Sequence, residues 1–207
     1  MIPPQFPVFT IGHSNHTLEN FIALLKRLGI QALADVRSSP YSRHHSQFNK
    51  ETLKKALDTQ GLNYVYLGRE LGGRTEDRSC YENGQIRYER VAQTELFQSG
   101  IERIIRGADQ YHIALMCAEK DPIRCHRFLL VSRTLANHKV DIQHILADGQ
   151  LESHSNALDR LLDEVKLPQR DLFRSREELL KEAFSIQEER VGYVDEKHSL
   201  QNSGEDL

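Results

Sequence analysis

Apolar residues along this chain fall into two rhythms. Short runs at 7–11, 32–36, 62–67, 112–117 and 141–146, rich in Val, Ile, Leu, Phe or Tyr, read as buried strands. Between them the apolar positions take helical spacing. Leu18, Phe21, Ile22, Leu24, Leu25 and Leu28 follow a candidate Thr17 cap and stop at Gly29, and Leu53, Ala56 and Leu57 follow Asn49 and stop at Gly61. A third helical pattern carries Val91, Leu96, Phe97, Ile101, Ile104 and Ile105, and a fourth, after the turn Ala147-Asp148-Gly149, carries Leu158, Leu161 and Leu162. Strand–helix alternation of this kind predicts an α/β fold: a compact three-layer domain with a mainly parallel sheet of about five strands flanked by helices.

Two stretches break the rhythm. The segment opened by Gly68-Arg69-Glu70-Leu71-Gly72-Gly73-Arg74 stays polar to about Gln85, and a connection of that length reads either as a lid hinged at the glycine pair or as a disordered surface loop. Beyond Pro168 the chain is mostly polar, with one amphipathic stretch from Leu172 to Ile186 and a terminal Asn202–Leu207 expected to be disordered. The expected division is therefore residues 1–165 as the α/β domain and 166–207 as a polar helical appendage with a tail.

Composition narrows the partners. With 207 residues, 28% of them charged, and a net charge of −3, the chain is neither a polybasic nucleic-acid binder nor an acidic tail protein. The opening Met1-Ile2-Pro3-Pro4-Gln5-Phe6-Pro7 lacks the basic start and apolar core of a signal peptide, and no apolar run nears the roughly 20 residues that span a bilayer, so the expectation is a cytoplasmic protein without a membrane partner. Three cysteines in a reducing compartment point to buried, reactive or ligating thiols rather than a structural disulfide.

Chemistry-capable side chains collect at three strand ends, where open α/β sheets bind ligands. The densest follows the fourth run: Met116-Cys117-Ala118-Glu119-Lys120-Asp121-Pro122-Ile123-Arg124-Cys125-His126-Arg127. Cys117 is a candidate nucleophile with Arg124, His126 and Arg127 as the groups that would lower its pKa, set against the reading of a small buried cysteine. Six residues separate Cys117 from Arg124, one more than a cysteine-phosphatase loop requires, and Glu119 and Asp121 put negative charge where its phosphate would sit. Glu119 is a candidate general acid or base, or else an ion-pair partner of Arg124 or Arg127. The second strand end, Asp35-Val36-Arg37-Ser38-Ser39-Pro40, offers Asp35 for acid–base work and Arg37 and Ser39 for an anionic group, with ordinary turn formation as the competing reading. The first brings His13 and Ser14 to a helix N-terminus, where Ser14 is explained equally by capping. Cys117, Cys125 and His126, with His13 or His144, contain the residue types of a zinc site but lack ligands paired two to four residues apart, so no metal is assigned.

Taken in order, Thr10-Ile11-Gly12-His13-Ser14, Asp35-Val36-Arg37 with Ser39-Pro40, Leu71-Gly72-Gly73, Met116-Cys117-Ala118-Glu119 with Cys125-His126-Arg127, and His144-Ile145 resemble the DUF488 family of uncharacterised bacterial and archaeal proteins. The resemblance spans residues 8 to about 150. It implies a compact α/β fold with these motifs gathered on one side, and it brings no reaction or cofactor with it. Asp35-Val36-Arg37 is also similar to the start of rhodanese domains, but the rest of that pattern is absent. No Gly-x-Gly-x-x-Gly or Cys-x-x-Cys is present, which favours hydrolysis or group transfer over redox chemistry. The expected activity is that of a hydrolase or group transferase on a phosphorylated or nucleotide-like substrate: Arg37, Ser39, Arg124 and Arg127 bind the anion, Asp35 or Glu119 moves protons, and His13, Ser14, Cys117 and His126 assist. The alternative is a non-catalytic module that binds a nucleotide or nucleic acid in the same crevice.

Overall fold

The computed structural model describes residues 3–14 and 16–195. In chain order the elements are β1 (Val8–Gly12), α1 (Leu18–Arg27), β2 (Ala32–Asp35), α2 (Lys50–Asp58), β3 (Asn63–Tyr66), α3 (Gly68–Leu71), β4 (Tyr81–Glu82), β5 (Gln85–Ile86), α4 (Tyr88–Val91), α5 (Glu95–Ala108) and β6 (Ile113–Cys117). A π-helical turn (Arg127–Ser132) then runs into α6 (Arg133–Asn137), followed by β7 (Ile142–Ile145), β8 (Leu151–Ser153), α7 (His154–Glu164) and α8 (Arg176–Val191). The main sheet has the order β3-β2-β6-β1-β7-β8; its first five strands are parallel and β8 pairs antiparallel to β7.

The five apolar runs became the five parallel strands; β1, β2 and β6, inside the sheet, are buried throughout because a strand covered on both faces has no polar face to alternate with, whereas β3 at the edge stays partly exposed. On β6, Ala114 and Met116 enter a core with Phe21 and Leu25 of α1 and Leu53 and Leu57 of α2, whereas Ile113, Leu115 and Cys117 enter the opposite core with α5, the π-helical turn, α7 and α8. Helix ends follow the expected chemistry: Thr17, Thr94, Ser153 and Ser175 each accept a first-turn backbone N–H, and Ser175 with Glu178 completes a capping box.

The segment read as a lid or loose loop is built into the body. It contains α3, a 3-10 turn at Arg78–Cys80 and the β4–β5 hairpin, and it buries Leu71, Cys80 and Ile86. Its glycines are packing positions and not hinges: a Cβ on Gly72 would lie 2.5 Å from Ser38 Oγ, and one on Gly73 would lie 2.8 Å from His126 Cγ. The hairpin turns at Asn83-Gly84, both with positive φ, the dipeptide a tight primed turn favours.

Past residue 165, α8 lies against the body. Leu179, Ala183 and Phe184 join the larger core, Gln187 Nε2 donates to the Ile123 carbonyl at 3.0 Å, and the Glu188 carboxylate accepts the Tyr88 N–H at 3.0 Å. Leu172 and Phe173, placed by the sequence pattern in that amphipathic stretch, precede the helix and are exposed. The expectation for Asn202–Leu207 lies outside the described residues.

Candidate functional site

β6 runs between β2 and β1, with Gly12 beside Cys117 and Asp35 beside Met116. The three strand ends singled out by sequence are therefore adjacent. The loop leaving β6 crosses directly over β1: the His13 and Ser14 N–H groups donate to the carbonyls of Cys117 and Ala118, both at 2.9 Å. A Cβ at Gly12 would stand 1.8 Å from the Glu119 carbonyl oxygen, so only glycine lets the two segments pass.

Asp35 and Arg37 form a closed unit. Asp35 Oδ1 accepts the Arg37 backbone N–H at 3.1 Å and Nε at 2.9 Å, and Oδ2 accepts Nη2 at 2.6 Å and the Tyr64 hydroxyl at 2.7 Å. Arg37 Nη2 also donates to the Phe48 carbonyl at 2.8 Å, and its Nη1 is 3.3 Å from His13 Nε2. Both are buried, and both carboxylate oxygens of Asp35, expected to do acid–base work, are engaged in holding Arg37 and the Tyr64 hydroxyl. Burial, reinforced by the Arg37 charge, lowers the His13 pKa to about 4, so the ring is neutral at ordinary pH and stacks on Phe48 at 4.5 Å. Ser14, at φ 37°, spends its backbone N–H on the loop crossing.

Arg127, expected to bind the anion, is likewise turned toward protein oxygens. Its side chain is fully buried, and Nη1 and Nη2 donate to the carbonyls of Glu119 and Lys120 at 2.7 and 3.3 Å. It fixes the loop that carries Glu119 and does not line the crevice.

The crevice itself encloses about 580 Å³. It is lined by Cys117, Glu119, Cys125 and His126 from the β6 end, by Arg37, Ser38, Ser39, Tyr41 and Ser42 from the β2 end, and by Arg74, Tyr88, Arg124 and Tyr193. Arg124 is exposed and pairs with Glu164 at 2.6 Å. Cys117 Sγ is 3.4 Å from Glu119 Oε2 and 3.6 Å from His126 Nδ1; Cys125 Sγ is 3.8 Å from each of those atoms. Among the described residues, Cys117, Cys125 and His126 bring their ligand-type atoms within 4.8 Å of one another, so folding brings together what their sequence spacing kept apart.

The two thiols share a proton unequally. The hydrogen bond to Cys125, together with burial, holds Cys117 well above the ordinary thiol range. Burial also opposes ionisation of Cys125, but the Cys117 S–H and the charges of Arg127 and His126 outweigh it and hold Cys125 well below that range. Burial opposes protonation of His126, and the neighbouring Cys125 more than offsets this, raising its pKa. Its Nε2 lies 2.9 Å from the Val36 carbonyl, which fixes the ring with Nδ1 toward the sulfurs.

Sequence reasoning missed Arg74, Tyr88 and Tyr193 as residues of the crevice. Arg74 had a signal, since it follows the glycine pair that lets the chain pass His126. Tyr193 had none, because it reaches the crevice only through the docking of α8, where its ring lies 4.2 Å from the Arg74 guanidinium.

A family model described as a domain of unknown function, DUF488, matches residues 17–134, more than half of the chain. No curated protein matches. Among solved structures, a DUF442 protein from Shewanella putrefaciens CN-32, provisionally named a phosphatase, is 12% identical, with 92% of this chain and 90% of that one covered at a TM-score of 0.38. The catalytic core of Siw14 is 17% identical, with 98% and 93% covered at a TM-score of 0.35.

Proposed function

We propose a function for a chain that belongs to the DUF488 family by inference from its crevice: hydrolysis of, or group transfer from, a phosphorylated or nucleotide-like substrate. One observation carries this reading. The Glu119 carboxylate and a thiol–imidazole cluster line one cavity together with Arg74 and the hydroxyl-bearing loop of Ser39 and Ser42. Arg74 holds the anionic group, hydroxyls and Arg124 complete its contacts, and Glu119 takes the proton of the attacking water or hydroxyl as its oxygen bonds to phosphorus and the leaving oxygen departs. Arg124 is free to serve because an exposed ion pair such as its contact with Glu164 is worth less than about 1 kcal/mol.

The test pairs binding with turnover. Thermal unfolding is followed with inorganic phosphate and mononucleotides, and hydrolysis is assayed on phosphate monoesters and nucleotides. A ligand at a hundred times its dissociation constant stabilises by roughly 2.7 kcal/mol. Stabilisation should vanish in Arg74→Ala and persist in Glu119→Gln, whose turnover should fall by roughly 10²–10⁴-fold. Turnover unchanged in Glu119→Gln removes the acid–base assignment. Binding without turnover of any substrate in the wild type replaces the enzyme with the binding module.

A further inference from the structure

We infer that Cys117, Cys125 and His126 bind a zinc ion at the wall of the crevice, leaving its fourth position open beside the Glu119 carboxylate. The argument begins with spacing. Zinc bonds of about 2.0–2.3 Å in tetrahedral geometry set the ligand atoms roughly 3.5–3.8 Å apart. The Cys117 and Cys125 sulfurs lie 3.6 and 3.8 Å from His126 Nδ1, and the three ligand atoms all fall within 4.8 Å of one another. Such a set supplies three corners of a zinc site, with Glu119 Oε2 3.4 and 3.8 Å from the two sulfurs beside it.

The surroundings of the ligands support the same reading. A ligating histidine usually donates its other ring N–H to an oxygen, which fixes the tautomer that leaves the remaining nitrogen free. His126 Nε2 lies 2.9 Å from the Val36 carbonyl, so Nδ1 is the nitrogen left for the ion. Gly73 clears the other side of that ring, where a Cβ would come within 2.8 Å. The Arg127 backbone N–H donates to Cys125 Sγ at 3.4 Å, an orienting bond a thiolate ligand accepts. Charge closes as well: two thiolates neutralise a divalent ion, and the buried Arg127 guanidinium, which holds the Glu119 and Lys120 carbonyls, offsets the carboxylate. Two thiolates and an imidazole select zinc over harder cations such as magnesium or calcium.

Cys117 and Cys125 are buried and His126 is pinned, whereas Glu119 beside them is exposed and lines the crevice. The fourth position is thus the one that a water or a substrate oxygen takes. The inference deepens the proposed function by naming the Lewis acid at that wall, but it rests on the cluster and not on the reaction.

The experiment uses the full chain, made without a metal-binding tag in zinc-replete cells and purified under reductant. Elemental analysis should find about one zinc per chain after gel filtration. Exchange with cobalt should give the visible bands of a tetrahedral ion and the thiolate-to-cobalt charge-transfer absorption. Cys125→Ser should lose both signals, and Cys80→Ala and Glu119→Gln should keep both. Should Cys125→Ser fail to fold, the wild-type cobalt spectrum decides alone. Zinc stripped by gel filtration, a cobalt spectrum without thiolate absorption, or a Cys117–Cys125 disulfide formed in the presence of zinc overturns the inference. Bound zinc without phosphoester turnover leaves the metal site and removes the reaction; turnover in zinc-free protein does the reverse.

Discussion

At the scale of single residues, the cations of this protein divide into those that build the site and those that face a ligand. Arg37 and Arg127 are buried and donate to protein oxygens through their guanidiniums, while Arg74 and Arg124 are exposed and line the crevice. Removing one partner of a buried ion pair strands the other charge at a cost of roughly 3–5 kcal/mol. Asp35→Ala should therefore lower unfolding free energy by about that amount in urea titration, and Tyr64→Phe, which deletes one hydrogen bond to the same carboxylate, by about 1 kcal/mol. Equal losses from the two variants would contradict the anchoring role of Asp35. Gly12→Ala poses a sharper residue-scale test. Its Cβ would stand 1.8 Å from the Glu119 carbonyl, so the loop must move; a stability loss of roughly 1–3 kcal/mol should come with loss of turnover. Wild-type activity in Gly12→Ala would mean that the position of Glu119 is not set by this crossing.

At the scale of elements, the parallel strands were legible and the antiparallel ones were not. Val8–Gly12 and Ile113–Cys117 are continuous apolar runs because helices cover both faces of the sheet. β8 and the β4–β5 pair are two or three residues long with partly exposed side chains, so they leave no run to detect. Asn83-Gly84 was the available signal for the hairpin, hidden inside a stretch that reads as polar overall. The π-helical turn at Arg127–Ser132 left no sequence mark either. The candidate site shows the same split. Cys117, Glu119, Cys125 and His126 come from one strand end and were legible as a group, while Tyr193 comes from a distant segment that only tertiary packing brings near. That dependence gives an element-scale prediction. Deleting residues 172–207 exposes the core surface beneath Leu179, Ala183 and Phe184, frees the Tyr88 N–H from Glu188 and removes one margin of the crevice. The shortened chain should bind more of a hydrophobic dye, unfold at lower temperature and hold phosphate more weakly. A truncation with unchanged thermal stability would show that α8 is not part of the cooperative unit.

At the scale of the whole molecule, histidines make stability depend on pH. Burial lowers the pKa of His13 and of His154 to about 4, with the Arg37 charge adding to the effect at His13. Burial and then the facing His154 hold His144 well below its usual value, with Arg127 and Arg160 adding positive charge nearby. These rings are stitched together while neutral: Thr10 Oγ1 is 2.8 Å from His144 Nδ1, and His144 Nε2 is 3.1 Å from His154 Nδ1. Between an unfolded value near 6.5 and a folded value of about 4, the unfolded chain binds more protons than the folded one, so stability rises with pH across that window. The contribution is complete above the unfolded value and is lost as pH falls through the folded one. Each such histidine adds a slope of up to roughly 1.4 kcal/mol per pH unit. Glu188, raised chiefly by burial, has the opposite sign near its own ordinary range, so the rise should be steepest from about pH 5 to 6.5. Urea midpoints measured across that interval should climb, and His154→Gln should flatten the climb without removing it, since His13 lies in the other core-facing layer beside Phe48 and titrates independently. A midpoint that stays level from pH 5 to 6.5 in the wild type would mean that these rings are reached by water in the folded protein, and that the neutral chain from Thr10 through His144 to His154 does not hold the sheet to α7.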